Sequence, residues 1–490
     1  MPDSRKGTSA NRGVHGSATS RVGVVPQVGP SLGLVSVAAV AVGVAVAFGA
    51  WAVVAVTLLP MLVAVGVRWP PVGLVMLVGL STDLLGIIAG EKAVRLFGLA
   101  DAPVVAVVLS IAFAVLTFRR GSLRGLPRAD RAVLLLLCTI VILAVVRALG
   151  TAIEYDFTVQ STLAAARRYA LYLLPFGVIA LVLRAGSVRH LTKVFLVLSS
   201  AYSAVVVVSW FAGGFGESPA FAFHVVEGMA RTYPSAYWFS LAGAALSFAH
   251  AVGASRVRDG AWATMAAALC SAAIVSTGSR AAMLALLVSF VASLVLSRGA
   301  GGNRVGRNSS RMVAVVLAVV GVWLAMSAFG FAGRFGDLGR DLSAQGGTGA
   351  YRIAESQFRL AMVAKSPVFG VGFVPYDLSG TVAQGYGGIT HLETVDSGLM
   401  TLLVNFGASG MLLLSALSFS FWVGLRRRLL FPPPSTVWIA VAGYLAGGLV
   451  TIPTQGHFAF SAGIAVTSVM IGLALGESTT VHVKDGMGPA

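Results

Sequence analysis

RAVLLLLCTIVILAVVRAL, residues 131–149, decides what solvent this chain folds in. Between Arg131 and Arg147 it carries no charge. A helix rises about 1.5 Å per residue, so about 20 apolar residues cross a hydrocarbon core of about 30 Å. The same pattern recurs along the chain. Runs near 31–49, 51–67, 70–89, 102–118, 168–184, 190–213, 235–253, 260–277, 279–297, 312–331, 396–424, 436–452 and 457–475 read as further spans. Backbone groups in lipid must find partners within their own segment, which selects helices. The fold expected is all-α: a polytopic transmembrane bundle of about 12–14 spans, with one large external loop containing short helices.

Composition agrees. Hydrophobic residues make up 57% of the 490 residues, charged residues 11%, and mean hydropathy is +0.87. A soluble domain is usually about 25% charged, and this chain has too few polar groups to cover itself in water. The net charge of +17 raises a nucleic-acid reading. The arginines reject it, because they stand in short blocks between apolar runs and not on one face or tail. Cys138 and Cys270 both fall inside apolar runs, so they form neither a disulfide framework nor a metal-binding spacing.

The basic blocks set orientation, since short cytoplasmic loops collect Lys and Arg. With the N-terminus inside, one side receives the tail, Arg68, Arg119 to Arg131, Arg184 to Lys193, Arg256 and Arg258, Arg298 to Arg311, Arg426 to Arg428 and Lys484. This predicts a multi-pass protein of the cytoplasmic (inner) membrane with both termini cytoplasmic. Its organisation is then a disordered tail (1–30), helices 1–11 (31–331), a large external loop (332–395), helices 12–14 (396–475) and a cytoplasmic tail (476–490). The external cations break the charge rule: Arg147, Arg167, Arg168, Arg231, Arg280 and those between Arg334 and Lys365. A connection as long as 332–395 is usually functional or disordered. Its Tyr, Phe and Gly content predicts a segment folded against the membrane.

Arg352, Arg359 and Lys365 lie in that loop, followed by Pro367 to Gly372 and then by His391, Glu393 and Asp396. A guanidinium makes two charge-assisted bonds to phosphate and keeps its proton. A carboxylate or imidazole nearby suits removal of a proton from an attacking hydroxyl. Arg280 sits in a short polar break, Ser276 to Ala281, between two spans. It reads either as a snorkelling anchor or as an anion contact. Arg167, Arg168 and Tyr169 read first as an interfacial anchor, and Arg231 with Tyr233 and Pro234 as a helix start. Gly443 and Gly447 fit close helix packing. No phosphate-cradling Gly-rich loop and no nucleophile elbow is present.

Three segments resemble the O-antigen ligase/polymerase family of membrane glycosyltransferases. They are Thr277-Gly278-Ser279-Arg280-Ala281-Ala282, Arg352 with Pro367 and Gly370-Val371-Gly372, and Asp396-Ser397 running through Leu402-Leu403 to Gly407 and Gly410. The family often carries a histidine where this chain has Asp396, eleven residues before Gly407. That difference leans toward a polymerase or exopolysaccharide-type member.

The resemblance implies transfer from a polyprenyl-diphosphate-linked glycan at the outer face of the membrane to a glycan or lipid acceptor. Arg280, Arg352, Arg359 and Arg231 would hold the diphosphate, and Asp396 or His391 would be the base. No cofactor, metal, nucleotide or nucleic acid is implied. Membrane lipids surround the protein, and a chain-length regulator or flippase is a conceivable partner. Two other readings compete: a flippase or transporter of lipid-linked oligosaccharide, and a scaffold of cell-wall assembly. A flippase should line a central cavity with charges inside its spans, and few are seen here.

Overall fold

The computed structural model describes residues 51–82, 102–118, 126–212, 223–226, 229–232, 237–254, 257–298, 347–374, 398–429, 435–452, 458 and 460–484. The expected tail, the spans near 31–49 and 312–331, and both candidate bases, His391 and Asp396, lie outside them. Residues 51–61 belong to a separate compact unit, Met1–Met61; everything below concerns Leu62–Ala490 unless stated.

The chain runs through α1 (Trp51–Arg68), α2 (Pro70–Ser81), α3 (Ala102–Thr117), α4 (Arg128–Glu154), α5 (Val159–Ala166) and a 3-10 helix (Arg167–Leu173). Next come α6 (Leu174–Ala185), α7 (Val188–Phe211), a hairpin of β1 (Phe223–Val226) and β2 (Met229–Thr232), and α8 (Tyr237–Gly253). Then follow α9 (Val257–Val275), α10 (Arg280–Arg298), α11 (Gly347–Lys365), α12 (Gly398–Leu429), α13 (Thr436–Thr451) and α14 (Ser461–Lys484). Among the described residues, six helical stretches are long and apolar enough to cross a membrane, and four shorter ones are apolar. The all-α expectation stands. The antiparallel hairpin, which pairs His224 with Arg231, lies between the spans read near 190–213 and 235–253, where Arg231 was read only as part of a helix start. The loop 332–395 contains a helix of 19 residues, longer than the short helices expected.

α4 shows why lipid is the solvent. It buries Val133, Leu137, Ala144 and Ala148 on one side. It exposes Leu135, Ile142, Val146 and Ile153 on the other. An amphipathic helix in water would carry polar groups on that second side. α8 is enclosed by α7, α9, α10 and α13, and is buried from Trp238 to Val252 apart from His250. α10 and α13 pack closely, as Gly443 and Gly447 suggest. A Cβ on Gly447 would stand 2.4 Å from the Ala285 carbonyl oxygen, and one on Gly443 2.7 Å from that of Ser289.

The break at Gly278 is a capped joint. Thr277 Oγ1 donates to the Ile274 carbonyl (2.7 Å), and the Ser279 hydroxyl accepts from Ala282 N–H (3.3 Å), starting α10 at Arg280. This accounts for Ser279 of the Ser-Arg step as local helix chemistry.

α4 and α12 run antiparallel and are tied differently at each end. At one end Arg428 forms an ion pair with the buried Asp130, donates to the Ser478 hydroxyl, and lies 3.9 Å over the Trp438 ring. Beside it the Ser435 hydroxyl donates to the Glu477 carboxylate. A carboxylate as buried as Asp130 is tolerable because its partner is present. The other end holds the candidate site.

Candidate functional site

The site begins with a fault in a membrane helix. Gly407, inside α12, has φ 59° and ψ −149°, which no helix contains. Unpaired backbone groups at this depth would cost several kcal/mol each. The turn that follows α11 satisfies them. Ala408 N–H donates to the Pro367 carbonyl (2.8 Å) and Ser409 N–H to that of Val368 (3.0 Å). In return, the Val404 carbonyl accepts from the N–H groups of Val371 (2.7 Å) and Gly372 (3.1 Å). Gly370 and Gly407 meet face to face. A Cβ on Gly370 would lie 2.4 Å from the Val404 carbonyl oxygen, and both residues have positive φ. The Pro367–Gly372 motif and the Gly407 segment, far apart in sequence, are two halves of one clasp.

The clasp carries a short strap, Gly370 to Val374, across the end of α4. Arg147 Nη2 donates to the Gly370 carbonyl (2.8 Å) and to the Glu154 carboxylate (3.4 Å). Thr151 Oγ1 accepts from Phe373 N–H (3.0 Å) and donates to the Arg147 carbonyl (2.7 Å). Phe373 packs edge-on to Tyr169 and Phe406, with ring centroids 5.5 and 5.4 Å away. With the Asn405 amide turned so that its donors meet acceptors, its nitrogen donates to the Gly372 carbonyl (3.3 Å) and its oxygen accepts from Tyr169 OH (3.0 Å) and Arg168 Nη2 (3.3 Å).

Asn405 lines a small cleft. Arg168, Arg359, Thr401, Asn405, Gly372 and Val374 are among its walls. Arg359 is only 1% exposed. Among the described residues lining it there are two arginines and no carboxylate. Two guanidinium groups at one cleft suit an anion with several oxygens, because each fork can make two charge-assisted bonds. Next to it is an apolar cleft with Ile140, Leu143, Tyr169, Leu402, Phe406 and Leu414 among its walls. Two pairs of neighbours divide between the cavities. Arg168 and Asn405 face the cationic one, and Tyr169 and Phe406 the apolar one. Ile140 lies seven residues before Arg147 in α4, about 10 Å deeper into the bundle.

Of the residues expected from sequence, Arg359 is in this cavity. Arg352 lies two turns before it in α11, and its side chain is outside the described set. Arg231 is in β2 and likewise described only as backbone. Arg280 begins α10, whose Ala285 packs on Gly447 of α13. Leu399 N–H, at the start of α12, donates to the Ile452 carbonyl just beyond α13 (3.0 Å). Arg280 is therefore at the same end of the bundle as Thr401. Sequence reasoning took Arg168 for an anchor, noted Arg147 only as a cation that breaks the charge rule, and passed over Thr151 and Asn405. The signal for Arg147 and Arg168 was their breach of the charge rule. For Asn405 it was a lone amide in the run from Leu399 to Leu414. No three His, Cys, Asp or Glu side chains gather among the described residues.

Fold and site together define a multi-pass membrane protein with a cationic cavity at one end of its bundle. Residues 265–415 match the family model described as O-antigen ligase. The match spans about a third of the chain and takes in all three segments that carry the resemblance. No curated protein matches the chain. The matched segment contains Arg359, the clasp and Asn405, whereas Arg147, Thr151 and Arg168 come from outside it.

Proposed function

We propose that the protein is a membrane glycosyltransferase that polymerises or ligates glycan units carried on polyprenyl diphosphate. It works at the outer face of the cytoplasmic membrane, with both termini inside. The observation that carries this reading is the pairing of cavities: a diphosphate suits Arg168 and Arg359, and an isoprenoid chain suits the apolar walls behind them. A lipid with an anionic head and a long apolar tail requires both.

In the reaction, an acceptor hydroxyl oxygen attacks the anomeric carbon of the donor sugar. The bond from that carbon to the diphosphate oxygen breaks, and its electron pair stays on the diphosphate. The hydroxyl proton passes to Asp396 or His391, of which Asp396 precedes α12 by two residues. Arg168 and Arg359 stabilise the charge that accumulates on the leaving group, the step at which fixed cations contribute most. Arg280, at the start of α10, and Arg352, on the same helix as Arg359, are expected to add to this positive field. The diphosphate is already activated, so the reaction is expected to need neither nucleotide nor added divalent metal.

The test places purified protein in lipid with a polyprenyl-diphosphate oligosaccharide and a chelator. The expected result is a longer glycan with matching release of free polyprenyl diphosphate. Binding and translocation of the donor with no new glycosidic bond would mark a flippase and end this reading.

A further inference from the structure

Arg147 and Thr151 are one turn apart near the end of α4, and neither lines the cationic cavity. A guanidinium on an apolar span is costly, and leucine there would pack more cheaply. Arg147 Nε is buried without a hydrogen-bond partner, so the side chain is retained for the two bonds of its Nη2. One of those goes to the Gly370 carbonyl of the strap. Thr151 receives the strap's next free N–H, that of Phe373. The fit is tight: a Cβ on Gly372 would overlap the Thr151 hydroxyl. Gly372 then offers its carbonyl to Asn405, and Asn405 offers its amide oxygen to Arg168.

We propose that Arg147 and Thr151 are positioning residues for glycan transfer. They press the Gly370–Phe373 strap against α4, so that the Gly372 carbonyl fixes Asn405 and Asn405 aims the Arg168 guanidinium into the cavity. This rests on the reading of that cavity as the diphosphate site. It joins α4, outside the family segment, to the machinery inside it. Free, Arg168 would be one more interfacial arginine; held by Asn405, it is preset for the leaving group and loses little freedom on binding.

The experiment uses the full chain in lipid nanodiscs, with sugar-free polyprenyl diphosphate as the binding probe and glycan transfer measured per folded molecule. Four variants are compared: Thr151→Val, Thr151→Ser, Arg147→Met and Arg147→Lys. Supporting groups of this kind typically change affinity or turnover by about 10- to 100-fold when removed. Thr151→Val and Arg147→Met should therefore bind the probe about 10-fold more weakly and transfer glycan at least about 10-fold more slowly. Thr151→Ser keeps both hydroxyl bonds and should stay within about 3-fold of wild type. Arg147→Lys should recover part of the loss, because it restores one donor to Gly370. If Arg147→Met does not fold, Thr151→Val carries the test, since it exchanges one hydroxyl for a methyl.

A merely structural strap would lower the melting temperature of Thr151→Val and leave binding and turnover per folded molecule unchanged. That outcome overturns the proposal. A wild-type protein that binds no polyprenyl diphosphate overturns the reading of the cavity, and the positioning role with it.

Discussion

Arg359→Ala is expected to leave a folded protein that transfers glycan at least about 100-fold more slowly, the usual scale for removing a preorganised group aimed at developing charge. Arg359 is almost wholly buried, on a helix whose end is clasped into α12. Its guanidinium is thus held in place before substrate arrives. Water in the vacated space would have to reorganise around the leaving diphosphate, which the arginine does not. Arg359→Lys should recover only part of the rate, because an ammonium offers a point charge where a fork can bond two oxygens. Arg426→Ala is the control. Arg426 is exposed, stacks beside Trp422 at the opposite end of the bundle, and should change turnover by less than about 2-fold. The measurement is initial transfer rate per folded molecule, with folding scored by thermal melting. Equal rates for Arg359→Ala and wild type would remove Arg359 from the site.

Gly407→Ala should be severely destabilising. The backbone there lies in a region open essentially to glycine alone, which costs an alanine about 1–3 kcal/mol. The new Cβ would also stand 2.6 Å from both Gly370 N and the Pro367 carbonyl oxygen. Relieving that overlap means withdrawing the turn after α11 and losing the bonds from Ala408 and Ser409. Each buried backbone group left unsatisfied adds about 1–3 kcal/mol. The sum is about 3 kcal/mol or more, enough to lower the melting temperature by many degrees or prevent folding. Gly410→Ala, three residues on in the same helix, meets mainly the Phe406 side chain and should cost much less. A Gly407→Ala protein that melts like wild type would show that the clasp contributes little.

The sequence made the membrane bundle readable because lipid removes alternatives: an uncharged run as long as the one in α4 has one stable form. The tight contact at Gly443 and Gly447 was readable for the same reason, since two small residues one turn apart permit close approach and little else. Gly407 was not readable. A glycine inside an apolar run looks like another packing position, and its positive φ depends on a turn docking from a segment that ends about 40 residues earlier. Arg359 could be read as an anion contact because it stands in a loop that breaks the charge rule. Arg168 breaks the same rule, but beside Tyr169 it looks like a membrane-interface anchor. Only the fold brings it to Asn405. The hairpin of β1 and β2 was missed because four-residue strands leave no periodicity to read.

One lipid-linked donor is expected to occupy both clefts, with its head beside Arg168 and Arg359 and its chain along the apolar wall. Photolabelling tests it most directly, using a polyprenyl diphosphate with a diazirine on its first isoprene units, followed by peptide mapping. The account predicts label on α4 around Ile140 and Leu143 and on α12 between Leu402 and Leu414, displaced by unlabelled donor and lost in Arg359→Ala. Label confined to α8, α9 and α10, with α4 and α12 unmodified, would contradict it.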